Sequence, residues 1–275
     1  MQKVSKIILA VGVISALTAS VFADSFINGG FESGTTNGWT LQSGTWSASN
    51  PGTINDKYQG DSAIIDSVTG GITNKDANTG GNLSEVLQGN YSFRLNNAAN
   101  QAHYSVVSQT VNNYTNADLY FGFAAVLEDP GHPQVQEPKF SFSIFDATKG
   151  QVLYNVAFNS DDMAAQGVAY HAGTSDWLYT DWNVVHVDTS LLYGDTFTIT
   201  ASAYDCALGG HGGYAYIDSF QPTRPEPNPG VSFTEIQANN LIQVAVPEPT
   251  SVVMWSLGGL ALLWGGKRRL FKPQA

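Results

Sequence analysis

Hydrophobicity in this chain alternates with a period of two and almost nowhere with a period near 3.6. Phe140-Ser141-Phe142-Ser143-Ile144 and Phe197-Thr198-Ile199-Thr200 place apolar and hydroxyl side chains on opposite faces of an extended backbone. Such a segment has no helical stripe to bury. As a strand it has one face to bury, and that face needs a second layer to cover it.

Short runs rich in β-branched and aromatic residues recur at 62–68, 91–95, 104–111, 119–127, 139–145, 151–158, 182–187, 196–204 and 213–220. Gly, Asn, Asp and Ser separate them, as turns require. One apolar and one polar face per run predict antiparallel pairing. That many strands over roughly 200 residues predict an all-β chain, an antiparallel β-sandwich of jelly-roll type. Residues 161–166 read as a short helix or turn, and 28–79 and 112–118 as loop-rich.

Both ends break this pattern. Lys3 and Lys6 precede an apolar run over 7–22 that closes on Val21-Phe22-Ala23 before Asp24. It reads as a signal peptide, residues 1–23, for Sec export; an uncleaved N-terminal anchor is the alternative. At the other end Val246-Pro247-Glu248-Pro249 is held extended by its prolines, and an uncharged apolar run follows over 251–266. As a single transmembrane helix that run measures roughly 24 Å. Trp255 and Trp264 suit the interface, and Lys267, Arg268 and Arg269 form a membrane stop that stays cytoplasmic. A processed tag and a permanent anchor both fit the tail. Pro222, Pro225, Pro227 and Pro229 make 222–245 a Pro-rich linker biased to polyproline II. The body is then 24–221.

The chain has 12 Lys and Arg against 23 Asp and Glu, a net charge of −11. Setting aside the tag residues Lys3, Lys6, Lys267, Arg268, Arg269, Lys272 and Glu248 leaves 6 bases against 22 acids, or −16. A body this acidic argues against nucleic acid and anionic lipid as partners. The single cysteine, Cys206, excludes an internal disulfide. Burial as a small apolar side chain, a free thiol and an intermolecular bridge are its three readings.

The tail, Val-Pro-Glu-Pro followed by a span and an Arg-rich end, resembles the PEP-CTERM sorting signal of Gram-negative bacteria. The resemblance covers residues 246–275. It implies processing by an exosortase, a membrane-embedded cysteine transpeptidase, at or near 247–249. It also implies an inner-membrane intermediate, a final place at the cell surface or in the extracellular matrix, and a host that makes extracellular polysaccharide.

Asn28-Gly29-Gly30-Phe31-Glu32 with Gly38-Trp39, then Gly89-Asn90-Tyr91-Ser92-Phe93-Arg94-Leu95, then Tyr216-Ile217-Asp218, resemble the opening, an inner strand and the last strand of galactose-binding-like jelly rolls. Many carbohydrate-binding modules share that opening. The resemblance implies a structural Ca²⁺ between first and last strands. Glu32 and Asp218 would supply carboxylates, with backbone carbonyls near Asn28 and Ser92, a hard-oxygen set that suits calcium. The plainer reading has Glu32 capping a turn and Asp218 accepting backbone amides.

Residues 90–220, with Glu128-Asp129-Pro130-Gly131-His132-Pro133 and the Gly-rich run 205–218, resemble a domain recurrent in large secreted bacterial surface proteins. That resemblance implies no activity. His132, His211, Glu128 and Asp205 are a candidate transition-metal set, although no helical register joins them. Trp39, Trp46, Tyr58, Trp177 and Trp182 lie in or beside loop-like stretches, where exposed rings stack on sugars. Core filling is the competing use of a tryptophan, and the pair Trp177 and Trp182 is expected to divide, one in and one out.

No Gly-x-Ser-x-Gly elbow, phosphate loop or His-Glu-x-x-His occurs, and no catalytic residue is assigned. Together the readings give an exported, non-catalytic protein that binds or organises polysaccharide. A structural or adhesive envelope protein is the alternative, with a polysaccharide hydrolase or lyase as the third.

Overall fold

The computed structural model describes residues 26–66, 68–69 and 72–238. The signal peptide, the sorting motif Val246–Pro249, the apolar run and the basic stop lie outside them. In chain order the strands are β1 (Thr40–Ser47), β2 (Asn50–Ile54), β3 (Ala63–Asp66), β4 (Val68–Thr69), β5 (Ile72–Thr73), β6 (Tyr91–Leu95), β7 (His103–Tyr114) and β8 (Asp118–Glu128). They continue as β9 (Lys139–Asp146), β10 (Gln151–Asn159), β11 (His171–Ala172), β12 (Trp177–Tyr179), β13 (Trp182–Asp188), β14 (Asp195–Tyr204), β15 (Gly213–Gln221) and β16 (Phe233–Gln237).

Six strands form one sheet in the order β10-β9-β14-β7-β1-β2. The other sheet runs β11-β12-β8-β15-β6-β3, with β13 on β8 and β16 on β13. Pairing is antiparallel except for β13 with β16. The two apolar faces meet as an antiparallel β-sandwich. Phe140, Phe142 and Ile144 of β9 and Phe197 and Ile199 of β14 face Phe121 and Phe123 of β8. Phe121 and Phe142 stack with ring centres 4.3 Å apart, and Phe123 and Phe140 at 5.1 Å. Each such ring contributes about 1.5–3 kcal/mol through burial.

A second apolar cluster lies on the outer side of the eight-stranded sheet. Trp177, Tyr179, Trp182, Tyr214 and Tyr216 pack there with Leu83, Leu87, Val231 and Phe233. That face is covered by the chain around 74–90 and by the segment after β15. Trp182 donates its indole N–H to the Ser84 carbonyl at 2.8 Å. Asp76 accepts from the hydroxyls of Tyr214 at 2.6 Å and Tyr216 at 2.7 Å.

Two expectations change. The span 28–79 contains β1 and β2, and β7 runs to Tyr114, so the expected loop at 112–118 shortens to 115–117. The stretch Thr-Leu-Gln-Ser-Gly-Thr-Trp-Ser of β1 lacks clean alternation, because Ser43 and Gly44 occupy buried positions beside other strands. The linker expectation fails within 222–238. Asn228 exchanges side-chain hydrogen bonds with the Gly89 backbone, N–H at 3.2 Å and carbonyl at 2.9 Å. Phe233–Gln237 then pairs with β13 as β16. The prolines hold the segment extended, and an extended segment fits a sheet edge as readily as it fits solvent.

Candidate functional site

Two features of the sandwich can act on a ligand: a cleft at one end and the outer face of the six-stranded sheet. The cleft, about 340 Å³, lies between Gly30 and Glu32, Gln88 and Gly89, and Asp218, Ser219 and Gln221. Asp218 is fully buried, and its Oδ2 accepts the N–H of Leu87 at 3.2 Å and of Gln88 at 3.1 Å. Its Oδ1 is buried with no well-aligned partner, although the Ser219 N–H also faces the carboxylate. Burial holds the Asp218 carboxyl well above the usual range, and the charge on Glu32 pushes it further. Glu32 is anchored by the N–H groups of Asn90 at 3.0 Å and Tyr91 at 3.1 Å. A side chain at Gly89, where φ is +73°, would run into that carboxylate.

Both carboxylates therefore do accept backbone amides, as the plainer reading held, yet one oxygen is left over. A buried, orphaned carboxylate oxygen beside a second carboxylate is costly alone and suited to a hard cation. Glu32 and Asp218 line the cleft together with Gly30, Gln88 and Ser219; Asn28 and Ser92 are not among its lining residues. The Asn28 side chain closes its own turn, accepting from Ser33 N–H at 3.1 Å and donating to the Thr35 carbonyl at 2.7 Å. Ser92 donates to the Glu85 carbonyl at 2.6 Å.

The tryptophans are not an exposed set. Trp39, Trp46, Trp177 and Trp182 are all buried, with Trp182 at 0% exposure. Trp39 stacks on Phe31 in the main core, and Trp177 and Trp182 both fill the second cluster instead of dividing. Three of the four indole N–H groups reach a carbonyl where they are buried: Trp39 to Asn28, Trp46 to Asp205, Trp182 to Ser84. Tyr58 is half-buried and stacks on His103 at 3.5 Å.

The outer face of the six-stranded sheet is half-buried along β9 and β14, and it is buried at Ser202, Tyr104 and Trp46. Register places its side chains in rows across five strands. One row is Asn155, Ser143, Thr200, Ser108 and Thr40. The next is Ala157, Ser141, Ser202, Val106 and Gln42. The third is Asn159, Lys139, Tyr204, Tyr104 and Gly44. Hydroxyls and amides give way to an aromatic end where Tyr104 and Tyr204 stack at 4.9 Å beside Trp46. The Lys139 amine sits over Trp46 and Tyr204, and burial pulls its pKa down to about 8. The signal for this face was in the sequence: Thr198, Thr200, Ser202 and Tyr204 are the polar partners of the alternation that marks β14 as a strand.

Glu128 and Asp205 leave the expected metal set. Glu128 accepts Gly212 N–H at 2.9 Å. Asp205 is buried and accepts His103 N–H at 3.0 Å, Asn96 Nδ2 at 2.7 Å and Gly213 N–H at 3.3 Å. His132 and His211 do come together, with ring centres 5.0 Å apart, and Cys206, fully buried, joins them.

No family model and no curated protein matches the chain. Among solved structures it is similar to a carbohydrate-binding module described as TmCBM61 in complex with β-1,4-galactotriose, at 15% identity over 72% of this chain and 96% of that one, TM-score 0.38. A non-crystalline cellulose specific module, CBM28, matches at 15% identity over 72% and 94%, TM-score 0.33. The enzymatically active domain of tailspike protein 4 of bacteriophage CBA120 matches at 14% over 74% and 21%, TM-score 0.33. The neighbours thus include carbohydrate-binding modules and an enzymatically active domain.

Proposed function

We propose that this chain is an exported surface or matrix protein that binds or organises extracellular polysaccharide without catalysis. The observation that carries the reading is the set of half-exposed hydroxyls and amides in rows on the outer face of the six-stranded sheet. They offer many neutral donors and acceptors on a rigid support, and half-buried Tyr204, backed by the buried Trp46 and Tyr104, gives an apolar end for a sugar ring. The tail supports delivery: a PEP-CTERM-like signal at Val246, Pro247, Glu248 and Pro249, read by an exosortase after Sec export. In this reading a structural Ca²⁺ occupies the Glu32 and Asp218 cleft and ties the start of the chain to β15. It holds the sandwich together and takes no part in binding sugar.

The test is affinity electrophoresis in gels containing the host's own polysaccharide. Retardation of the wild type is expected, weakened by Ser143→Ala with Thr200→Val and abolished by Tyr204→Ala, each checked for an intact fold by circular dichroism. Absence of retardation across a broad glycan panel would sink the sugar-binding reading. Intact mass from the host tests sorting separately: loss of the tail in the wild type but not in a Pro247→Ala, Pro249→Ala variant is the expected result.

A further inference from the structure

We infer that His132, Cys206 and His211 form a binding site for a borderline transition-metal ion, zinc foremost, at the end of the sandwich where the β8–β9 and β14–β15 loops meet. One ligand atom of each residue lies within 4.8 Å of the other two. The Cys206 Sγ is 3.7 Å from His132 Nδ1. Around a tetrahedral zinc, with Zn–S near 2.3 Å and Zn–N near 2.0–2.1 Å, neighbouring ligand atoms stand ~3.3–3.8 Å apart. The thiol and the first imidazole already hold that spacing. His211 Nδ1 is buried and has no hydrogen-bond partner, so an acceptor lone pair or an N–H there is unmet.

The backbone fixes this arrangement. Glu128 N–H donates to the Gly212 carbonyl at 3.1 Å, and Gly212 N–H returns a bond to the Glu128 carboxylate at 2.9 Å. That reciprocal pair staples the two loops together just beside the histidines. Cys206 N–H bonds the His211 carbonyl at 2.9 Å, and Ala207 N–H bonds the Gln136 carbonyl at 2.8 Å, which closes the β14–β15 loop against the β8–β9 loop. Leu208 N–H points at Cys206 Sγ from 3.4 Å and helps to orient the sulfur. Pro130 and Pro133 flank Gly131 and His132 and limit the freedom of that loop.

A mixed sulfur and imidazole set selects zinc, cobalt or copper over calcium or magnesium. A thiol nucleophile is the other use of a Cys–His contact. It needs an open approach to sulfur, and Cys206 is fully buried. A ligand needs only the ion, which reaches the site past the half-buried imidazoles. On binding, the thiol gives its proton to solvent and the sulfur lone pair goes to the metal. Three protein ligands leave the fourth position for water.

The test uses the full purified chain, stripped of metal and kept reduced, in buffer containing Ca²⁺ so that hard-oxygen sites are filled. Titration with Co²⁺ should produce a thiolate-to-metal charge-transfer band saturating at one equivalent, and Zn²⁺ should erase it by competition. Cys206→Ser should abolish the band. His132→Gln and His211→Gln, at half-buried loop positions, should each weaken Co²⁺ binding by roughly 10-fold or more, since even outer-shell losses reach that size. Asp218→Asn should leave the band unchanged. A folded wild type that gives no charge-transfer band overturns the inference, and so does a band of undiminished affinity in both histidine variants.

Discussion

Lys139 Nζ lies 4.0 Å from the centre of the Trp46 ring, with Tyr204 closing the other side at 4.4 Å. The amine is held where water is scarce, and the ring faces replace part of its hydration. Burial still dominates and pulls its pKa from 10.5 to about 8. Between those values the unfolded chain keeps a proton that the folded chain has released. Lys139 therefore contributes stability that rises with pH from about 8 toward 10.5. Melting temperature compared between about pH 8 and 9 should trend more steeply upward in the wild type than in Lys139→Met. An equal slope in both would remove Lys139 as its source. Tyr104 and Tyr114, pushed up to about 12, and Tyr154, Tyr204, Tyr214 and Tyr216, also raised by burial, oppose the trend once unfolded phenols ionise near 10, which is why the comparison stops at about pH 9.

The Glu32 and Asp218 cleft makes a prediction of opposite signs. With Asp218 ionised and no cation present, one carboxylate oxygen stays buried and unmet. Asp218→Asn removes that charge, so the variant should melt at or above the chelated wild type. Added Ca²⁺ should stabilise the wild type by about 2.7 kcal/mol at a hundredfold excess over its dissociation constant, and leave the variant where it was. Calorimetry with EDTA and with Ca²⁺ decides it. A wild-type melting temperature indifferent to both additions removes calcium from the cleft.

How much of this was legible before the structure depended on the range of the interactions. Strands β8, β9, β14 and β15 alternate or run apolar in their own sequence, because each packs one face or both against neighbours in a fixed register. The pairing of Glu32 with Asp218 followed from the resemblance of the two chain segments to a known opening and closing strand. The tryptophans misled because an indole beside glycines and serines reads as a loop residue, and only the chain around 74–90 and the docked segment 222–238 cover Trp177 and Trp182. Composition gave no sign of that cover, since its grip combines long-range contacts, the Asn228 bonds to Gly89 and the pairing of β16 with β13, that a proline-rich stretch does not announce. The meeting of His132 with Cys206 spans 74 residues and is set by two loops, so no local pattern announces it.

Asp76 supplies a sharper test of the second cluster. One oxygen accepts the hydroxyls of both Tyr214 and Tyr216, while the other accepts Thr79 N–H at 3.0 Å. Asp76→Ala takes the short acceptor from both hydroxyls, leaving Tyr216 with Glu85 Oε1 at 3.3 Å and Tyr214 with only the Asn78 amide as donor at 3.0 Å, so a loss of about 2 kcal/mol is expected in urea unfolding. Tyr214→Phe with Tyr216→Phe in that background should recover part of it, because the poorly paired hydroxyls are then gone. Additive losses in the combined variant would mean that the three groups do not act as one network.

The segment after β15 should behave as part of the fold. Phe233 stands opposite Trp182 in the β13–β16 register and packs on the cluster that buries that indole. Phe233→Ser should cost about 1.5 kcal/mol, the low end for an aromatic ring, since Phe233 is half-buried. Ending the chain after Gln221 should cost more, because it also removes the Asn228 bonds to Gly89 and Leu87. Tryptophan fluorescence reports the change directly: the emission of the shortened chain should move to the red as Trp182 gains water. A shortened chain with unchanged emission and unchanged melting temperature would restore 222–238 to the role of a passive linker. In that case the Gln88 and Gly89 wall of the cation cleft would be held by β6 and Glu32 alone, and the calcium effect should survive the truncation in full.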